Sequence, residues 1–139
     1  MKVDVRSTLR RPGYPAGKAK KFLNRALGLS GQSASEISVL FCGDAAMRTL
    51  NRSFRRKDRT TDVLSFPSGS APGGFLGDLI VSEPEARRQA RRSRSPYRRT
   101  VEKLLLHGLL HLLGYDHETD DGEMDAIEGR LRRRLSTAP

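Results

Sequence analysis

The chain reads as a small α+β domain, a mixed four-stranded sheet packed with about five helices. Three observations predict it. Short runs rich in β-branched and aromatic residues interleave with stretches of helical periodicity. The length of 139 residues suits one domain spanning 1–139. The segment from Leu104 to Leu113 is apolar nearly all round, which marks a buried central helix.

Each element has its own signal. Lys2–Arg6 alternates polar and apolar residues and predicts a strand. Arg10–Gly17 is a Pro/Gly linker. In Ala16–Leu29 the residues Ala19, Phe22, Leu23, Ala26 and Leu27 recur at helical spacing, with Gly28 as the stop. Gly31–Ser35 reads as loop. Glu36–Cys42 puts Ile37, Val39 and Phe41 on one face of a strand. Asp44 is a natural N-cap for a helix to about Phe54, and Arg55–Arg59 is a basic loop. Thr61–Phe66 and Phe75–Ser82 read as strands, separated by the Ser/Gly/Pro-rich Pro67–Gly74. Glu83-Pro84-Glu85 opens a helix that ends in the Arg-rich Arg87–Arg94. Pro96 starts the long apolar helix. Asp120 and Glu123 resemble a capping box, ahead of a last helix from about Gly122 to Leu135 with Met124, Ile127, Leu131 and Leu135 as its stripe.

Composition narrows the function classes. The apolar fraction is 36%, near the low edge for a globular chain. No apolar run approaches the roughly 18–20 residues of a membrane span, so no membrane is expected as a partner. The N-terminus lacks the apolar region of a signal peptide, and the lone Cys42 cannot form an internal disulfide. Cys42 reads as a small apolar residue near a strand end. The expected localisation is cytoplasmic. The formal charge of +10 with pI ≈ 10.6 favours polyanions, nucleic acid first among them.

All three histidines fall in one segment, His107, His111 and His117, spaced H-x3-H-x5-H with Gly114 between the last two. Residues i and i+4 share a helix face, so two imidazoles can grip one ion. A glycine can then take the left-handed conformation that ends a helix, letting His117 swing back as a third ligand. Three nitrogens leave one tetrahedral position open, the pattern of a catalytic zinc site. The spacing matches the zincin pattern H-E-x-x-H-x-x-G-x-x-H, so the long helix reads as a zincin-like metal helix. Gly108 stands where that pattern has its general-base glutamate. The segment therefore argues for the metal and against a protease.

Three stretches stand together: Leu50-Asn51-x-x-Phe54-Arg55-x-Lys57-Asp58-x-Thr60-Thr61-Asp62-Val63-Leu64-Ser65-Phe66-Pro67, then Leu76-Gly77-Asp78-Leu79-Ile80, then the histidine segment. In combination they resemble the YbeY family, bacterial endoribonucleases and rRNA maturation factors, over about Glu36 to Leu135. The resemblance implies a zinc ion at His107, His111 and His117, and a functional arginine at Arg55. It also implies a single-strand-specific, metal-dependent endoribonuclease that matures the 16S rRNA 3′ end and serves ribosome quality control. Its partners would be an rRNA precursor, the ribosomal subunit, and ribosomal or assembly-factor proteins. The chain departs from the family in a short glycine-rich Pro67–Gly74, an unusually basic Arg87–Arg99 and an early C-terminus.

On RNA, the metal would polarise a phosphate oxygen or acidify a bound water. A guanidinium at Arg55 would hold a phosphate through two bonds; without the resemblance, Arg55 reads as a solvated charge. The general base is open between Asp62, Asp116 and Glu118. Asp116 also suits a place behind a histidine, orienting it. Asp62 reads equally as a strand-start carboxylate, and Gly77-Asp78 as a turn before a strand. Two other classes stand beside this one: a different metal-dependent hydrolase, and a non-catalytic RNA-binding assembly factor whose metal stabilises the fold.

Overall fold

Three of the four strands run parallel and the fourth turns back along the edge. The computed structural model describes residues 1–70, 73–116 and 121–136. In chain order the elements are β1 (Lys2–Ser7), α1 (Ala16–Ser30), β2 (Glu36–Cys42), α2 (Asp44–Arg55), β3 (Val63–Pro67), β4 (Phe75–Ser82), α3 (Glu83–Ser93), α4 (Tyr97–Leu112) and α5 (Glu123–Ser136). The sheet order is β1-β2-β4-β3. β1, β2 and β4 are mutually parallel, with Val3 opposite Ile37 and Val39 opposite Leu79. β3 pairs antiparallel to β4, with Ser65 opposite Leu79.

Strand alternation divides the core between the two sheet faces. Val3, Ile37, Val39, Phe41, Leu79 and Val81 point to one side, where they bury Leu23 of α1, Leu105 and Leu109 of α4, and Leu131 of α5. Cys42, Leu64 and Ile80 point to the other side and pack on Met47 and Leu50 of α2. α4 lies centrally, and nine of its residues are buried, among them Leu104, Leu105, Leu106, Leu109 and Leu110. Each fully buried leucine contributes about 1.5–3 kcal/mol.

The element ends differ from the expected ones for identifiable reasons. α1 continues through Gly28 and closes at Gly31, whose φ is +76°. Gly43 is the N-cap of α2, so Asp44 sits in the first turn, and its carboxylate takes both terminal nitrogens of Arg88 at 2.8 and 2.9 Å. β3 begins at Val63 because Asp62 intervenes: its Oδ1 accepts the Val63 N–H at 2.7 Å, while its backbone carbonyl accepts from Ser82 at 2.9 Å. Gly77-Asp78 lies inside β4 rather than ahead of it. Asp120, the expected cap of the last helix, lies outside the described residues.

Candidate metal centre

α4 brings two of the histidines face to face. One turn of helix separates His107 from His111, and their Nε2 atoms lie 3.2 Å apart. The rings meet edge to face, at 80° and 4.7 Å between centroids. Two nitrogens on one tetrahedral ion at 2.0–2.1 Å are separated by about 3.3 Å. The observed spacing therefore fits shared coordination of a single ion.

Behind His107 stands a carboxylate that periodicity alone did not single out. The His107 Nδ1 donates to Glu128 Oε2 on α5 at 3.3 Å. A carboxylate oxygen only accepts, so Nδ1 carries the proton, and a neutral imidazole then keeps its lone pair on Nε2. The bond from His107 holds Glu128 below the usual carboxylate range, against the opposing effect of burial. Glu128 is 8% exposed. A sign of it existed in the sequence: position 128 is four residues after Met124, on the apolar stripe of α5, where a carboxylate needs a partner.

After the histidine pair the chain reverses sharply. Gly114 adopts φ +102°. Its N–H donates to the His111 carbonyl at 3.0 Å, and the Tyr115 N–H donates to the Leu110 carbonyl at 3.0 Å. This pair of bonds is the Schellman closure of a helix, and it supplies the turn expected before the third histidine. The half-buried Asp116 is the last residue described before it. His117 and Glu118 lie outside the described residues. Among the described residues no group of three potential ligands assembles.

Gly108 faces the sheet. A Cβ there would lie 2.7 Å from Leu79 Cδ2 and 3.3 Å from Ser65 Oγ. The Ser65 hydroxyl also donates to the Gly108 carbonyl at 3.4 Å. The helix thus lies against β3 and β4 at a distance that leaves no room for a side chain. A glutamate at this position would meet Leu79.

Arg55 is the last residue of α2 and is exposed. Its side chain makes no hydrogen bond or ion pair with any described residue. α2 covers the sheet face opposite to α4, and β3 lies between them: Phe54 meets Phe66 edge-on at 5.2 Å, while the adjacent Ser65 meets α4. The loop after Arg55 is folded back on its own helix. The side-chain amide of the buried Asn51 donates to the Arg59 carbonyl at 2.9 Å, and its backbone carbonyl accepts the Lys57 N–H at 3.3 Å. Asp58 takes Arg48 at 2.8 and 3.1 Å. Both hydrogen-bonding oxygens of Asp62 are engaged, the second by Gln89 at 2.9 Å.

A mixed-sheet α+β domain carrying an i,i+4 imidazole pair on its central helix is the class that fold and geometry define. The family model described as Endoribonuclease YbeY matches residues 15–137. The relative from Solibacter usitatus, named Endoribonuclease YbeY, is 46% identical over 93% of this chain and 82% of its own. The one from Aquifex aeolicus, of the same name, is 40% identical over 87% of this chain and 84% of its own. In fold, the solution structure of TM1509 from Thermotoga maritima is similar at a TM-score of 0.65 and 23% identity, over 96% of this chain and 88% of that one. The chain belongs to the YbeY family.

Proposed function

We propose that this protein is a zinc-dependent endoribonuclease acting on single-stranded RNA, with the 3′ end of 16S rRNA in the precursor ribosomal subunit as its target. The facing Nε2 atoms of His107 and His111, with Glu128 behind, are the observation that supports it. It agrees with the name carried by the relatives. His107, His111 and His117 would hold the ion. When bound, zinc polarises a phosphate oxygen and acidifies water.

The chain's own residues supply the rest. Glu128 keeps the proton on Nδ1 of His107, so that Nε2 faces the ligand position. Gly108 lets α4 settle on β3, which sets the histidines beside the sheet edge. Arg55 extends a guanidinium that holds a phosphate through two parallel bonds and offsets charge gathered in the transition state. The +10 surface draws the polyanion in. Peptide hydrolysis by the zincin route is disfavoured, since the general-base position holds Gly108, packed against Leu79. No helix among the described residues is long and apolar enough to cross a membrane.

The test is cleavage of single-stranded RNA by the purified protein before and after chelation, beside His111→Ala. Cleavage should vanish on chelation, return with zinc and be absent in the variant. Cleavage that survives both treatments overturns the metal mechanism. Tight RNA binding without cleavage by the metal-loaded wild type would favour the non-catalytic assembly role.

A further inference from the structure

α3 carries its arginines on two faces with different fates. Arg88 and Arg92 are neutralised: Arg88 by Asp44 and Glu85, Arg92 by Glu85 at 3.1 Å. Arg87 and Arg91, one turn apart on another face, and Arg94, the left-handed C-cap, are exposed and have no ion pair with a described residue. Arg87 and Arg91 line a cleft of about 360 Å³ together with Arg88 and Glu83, and its opposite wall is the segment after β1, with Arg10 and Arg11. A second cleft of about 350 Å³ continues it past Arg91 and Arg94 to Tyr97.

One of these arginines is held in place. The Arg87 guanidinium lies 4.2 Å from the centre of the Tyr97 ring. Gly13 lies beside both groups: a Cβ there would overlap Arg87 Nη2 and fall 3.3 Å from Tyr97 Cε2. Gly13 is itself fastened, its N–H donating to the buried Glu83 at 2.9 Å. A planar donor is thus stacked on an aromatic face with a glycine packed against the edge of the pair, which limits the rotamer freedom left to lose on binding. Tyr97 and His107 lie ten residues apart on α4, about 15 Å along the helix. The cleft therefore sits at the far end of the helix that carries the histidine pair.

We propose that this arginine-lined cleft is a second contact for the phosphate backbone of RNA, one that anchors the strand remote from the histidines. Arg10, Arg11, Arg87 and Arg91, none in an ion pair with a described residue, line one cleft and Arg94 lines the neighbouring one, and a phosphodiester backbone is the ligand that presents several anions along a line. The anchor rests on RNA being the substrate. It adds affinity and register and takes no part in the bond broken.

The experiment measures binding of a labelled single-stranded RNA across a salt series, together with cleavage, for the wild type, the triple variant Arg87→Gln/Arg91→Gln/Arg94→Gln, and Gly13→Ala. The triple variant should bind at least about tenfold more weakly at low salt, with a salt slope smaller by about 2. Its cleavage rate at saturating RNA should be unchanged. Gly13→Ala keeps every charge but displaces Arg87, and should weaken binding a few-fold with its melting temperature near the wild type. Wild-type affinity in both variants overturns the proposal. So does a loss confined to the saturating rate, or binding to phosphatidylglycerol vesicles in place of RNA. If the wild type binds RNA without cleaving it and the triple variant loses that binding, the anchor stands while the nuclease reading falls.

Discussion

Glu128 of α5 accepts from Nδ1 of His107 on α4 across 3.3 Å, and the same imidazole turns its Nε2 toward His111 at 3.2 Å. The two contacts are linked through one ring. A carboxylate on one nitrogen fixes the ring's orientation and tautomer, and this decides where the lone pair of the other nitrogen points.

Glu128→Gln should therefore weaken zinc binding by roughly 10–100-fold. The amide can still accept through its oxygen, so the ring keeps its place, but the negative charge that raises ligand basicity is gone. Glu128→Ala should lose more. Competition with a chromophoric chelator reads the affinity, and far-UV circular dichroism reports whether the fold persists. Wild-type affinity in both variants would reduce Glu128 to a helix-helix contact.

Gly108 makes a second test of the same helix. An added methyl must displace Leu79, which is fully buried, at an overpacking cost of about 1–3 kcal/mol, against a helix-propensity gain of at most about 1 kcal/mol. Gly108→Ala should lose about 1 kcal/mol in a denaturant titration. Gly108→Glu should fail to fold stably, since it drives a carboxylate into the sheet. Shrinking the neighbour tests the cause: Gly108→Ala in a Leu79→Val background should cost less than in the wild type. An equal cost in both backgrounds means that Leu79 is not what excludes the side chain.

How far these relationships could be read from the sequence depends on their range. The strands and helices follow from periodicity, which is local, and Gly114 from the needs of a helix end. Helix and strand ends moved by a few residues where a side chain reached across the fold, as Arg88 did for Asp44 and Gln89 for Asp62. The place of β3 at the sheet edge, antiparallel beside β4, is a choice among topologies that alternation does not distinguish. Glu128 sits 21 residues from His107. Only the packing of α5 on α4 makes that pair, although a carboxylate on an apolar stripe hinted at it. The demand for glycine at 108 came from a contact with Leu79 that no local pattern encodes.

The Asp44–Arg88 bridge gives the fold an acid-sensitive contact. Hydrogen bonds from Arg88 hold Asp44 below its ordinary value, with partial burial opposing them. A carboxylate whose folded pKa is depressed stabilises the fold above its unfolded pKa of about 3.9, and that contribution fades as pH falls through the lower folded value. The Asp44 side chain is 43% exposed, so screening limits the effect to about 1 kcal/mol. Asp44→Asn should lose about that much at pH 7, and the difference from the wild type should shrink as pH falls below about 4. Urea titrations at pH 7 and pH 3 measure it. A difference that persists unchanged at pH 3 would assign the loss to the helix start rather than to the charge.

Arg55 is the residue at which turnover and folding should come apart. It ends α2, is exposed, and pairs with no described residue, while Asn51 and Asp58 hold the loop beyond it against the helix. Its removal should leave stability within about 0.5 kcal/mol, the range of most surface changes. If it offsets transition-state charge, the rate should fall far more, by roughly 10²–10³ in turnover. Arg55→Lys restores a charge without the fork of parallel donors, so it should recover activity only in part. RNA cleavage, melting temperature and zinc content of both variants decide the matter together. Wild-type cleavage by Arg55→Ala removes the residue from the mechanism. Loss of the metal or of the fold in that variant makes Arg55 a structural cation whose effect on cleavage is secondary. A slow, folded, metal-loaded alanine variant is the expected outcome, with the lysine variant between it and the wild type.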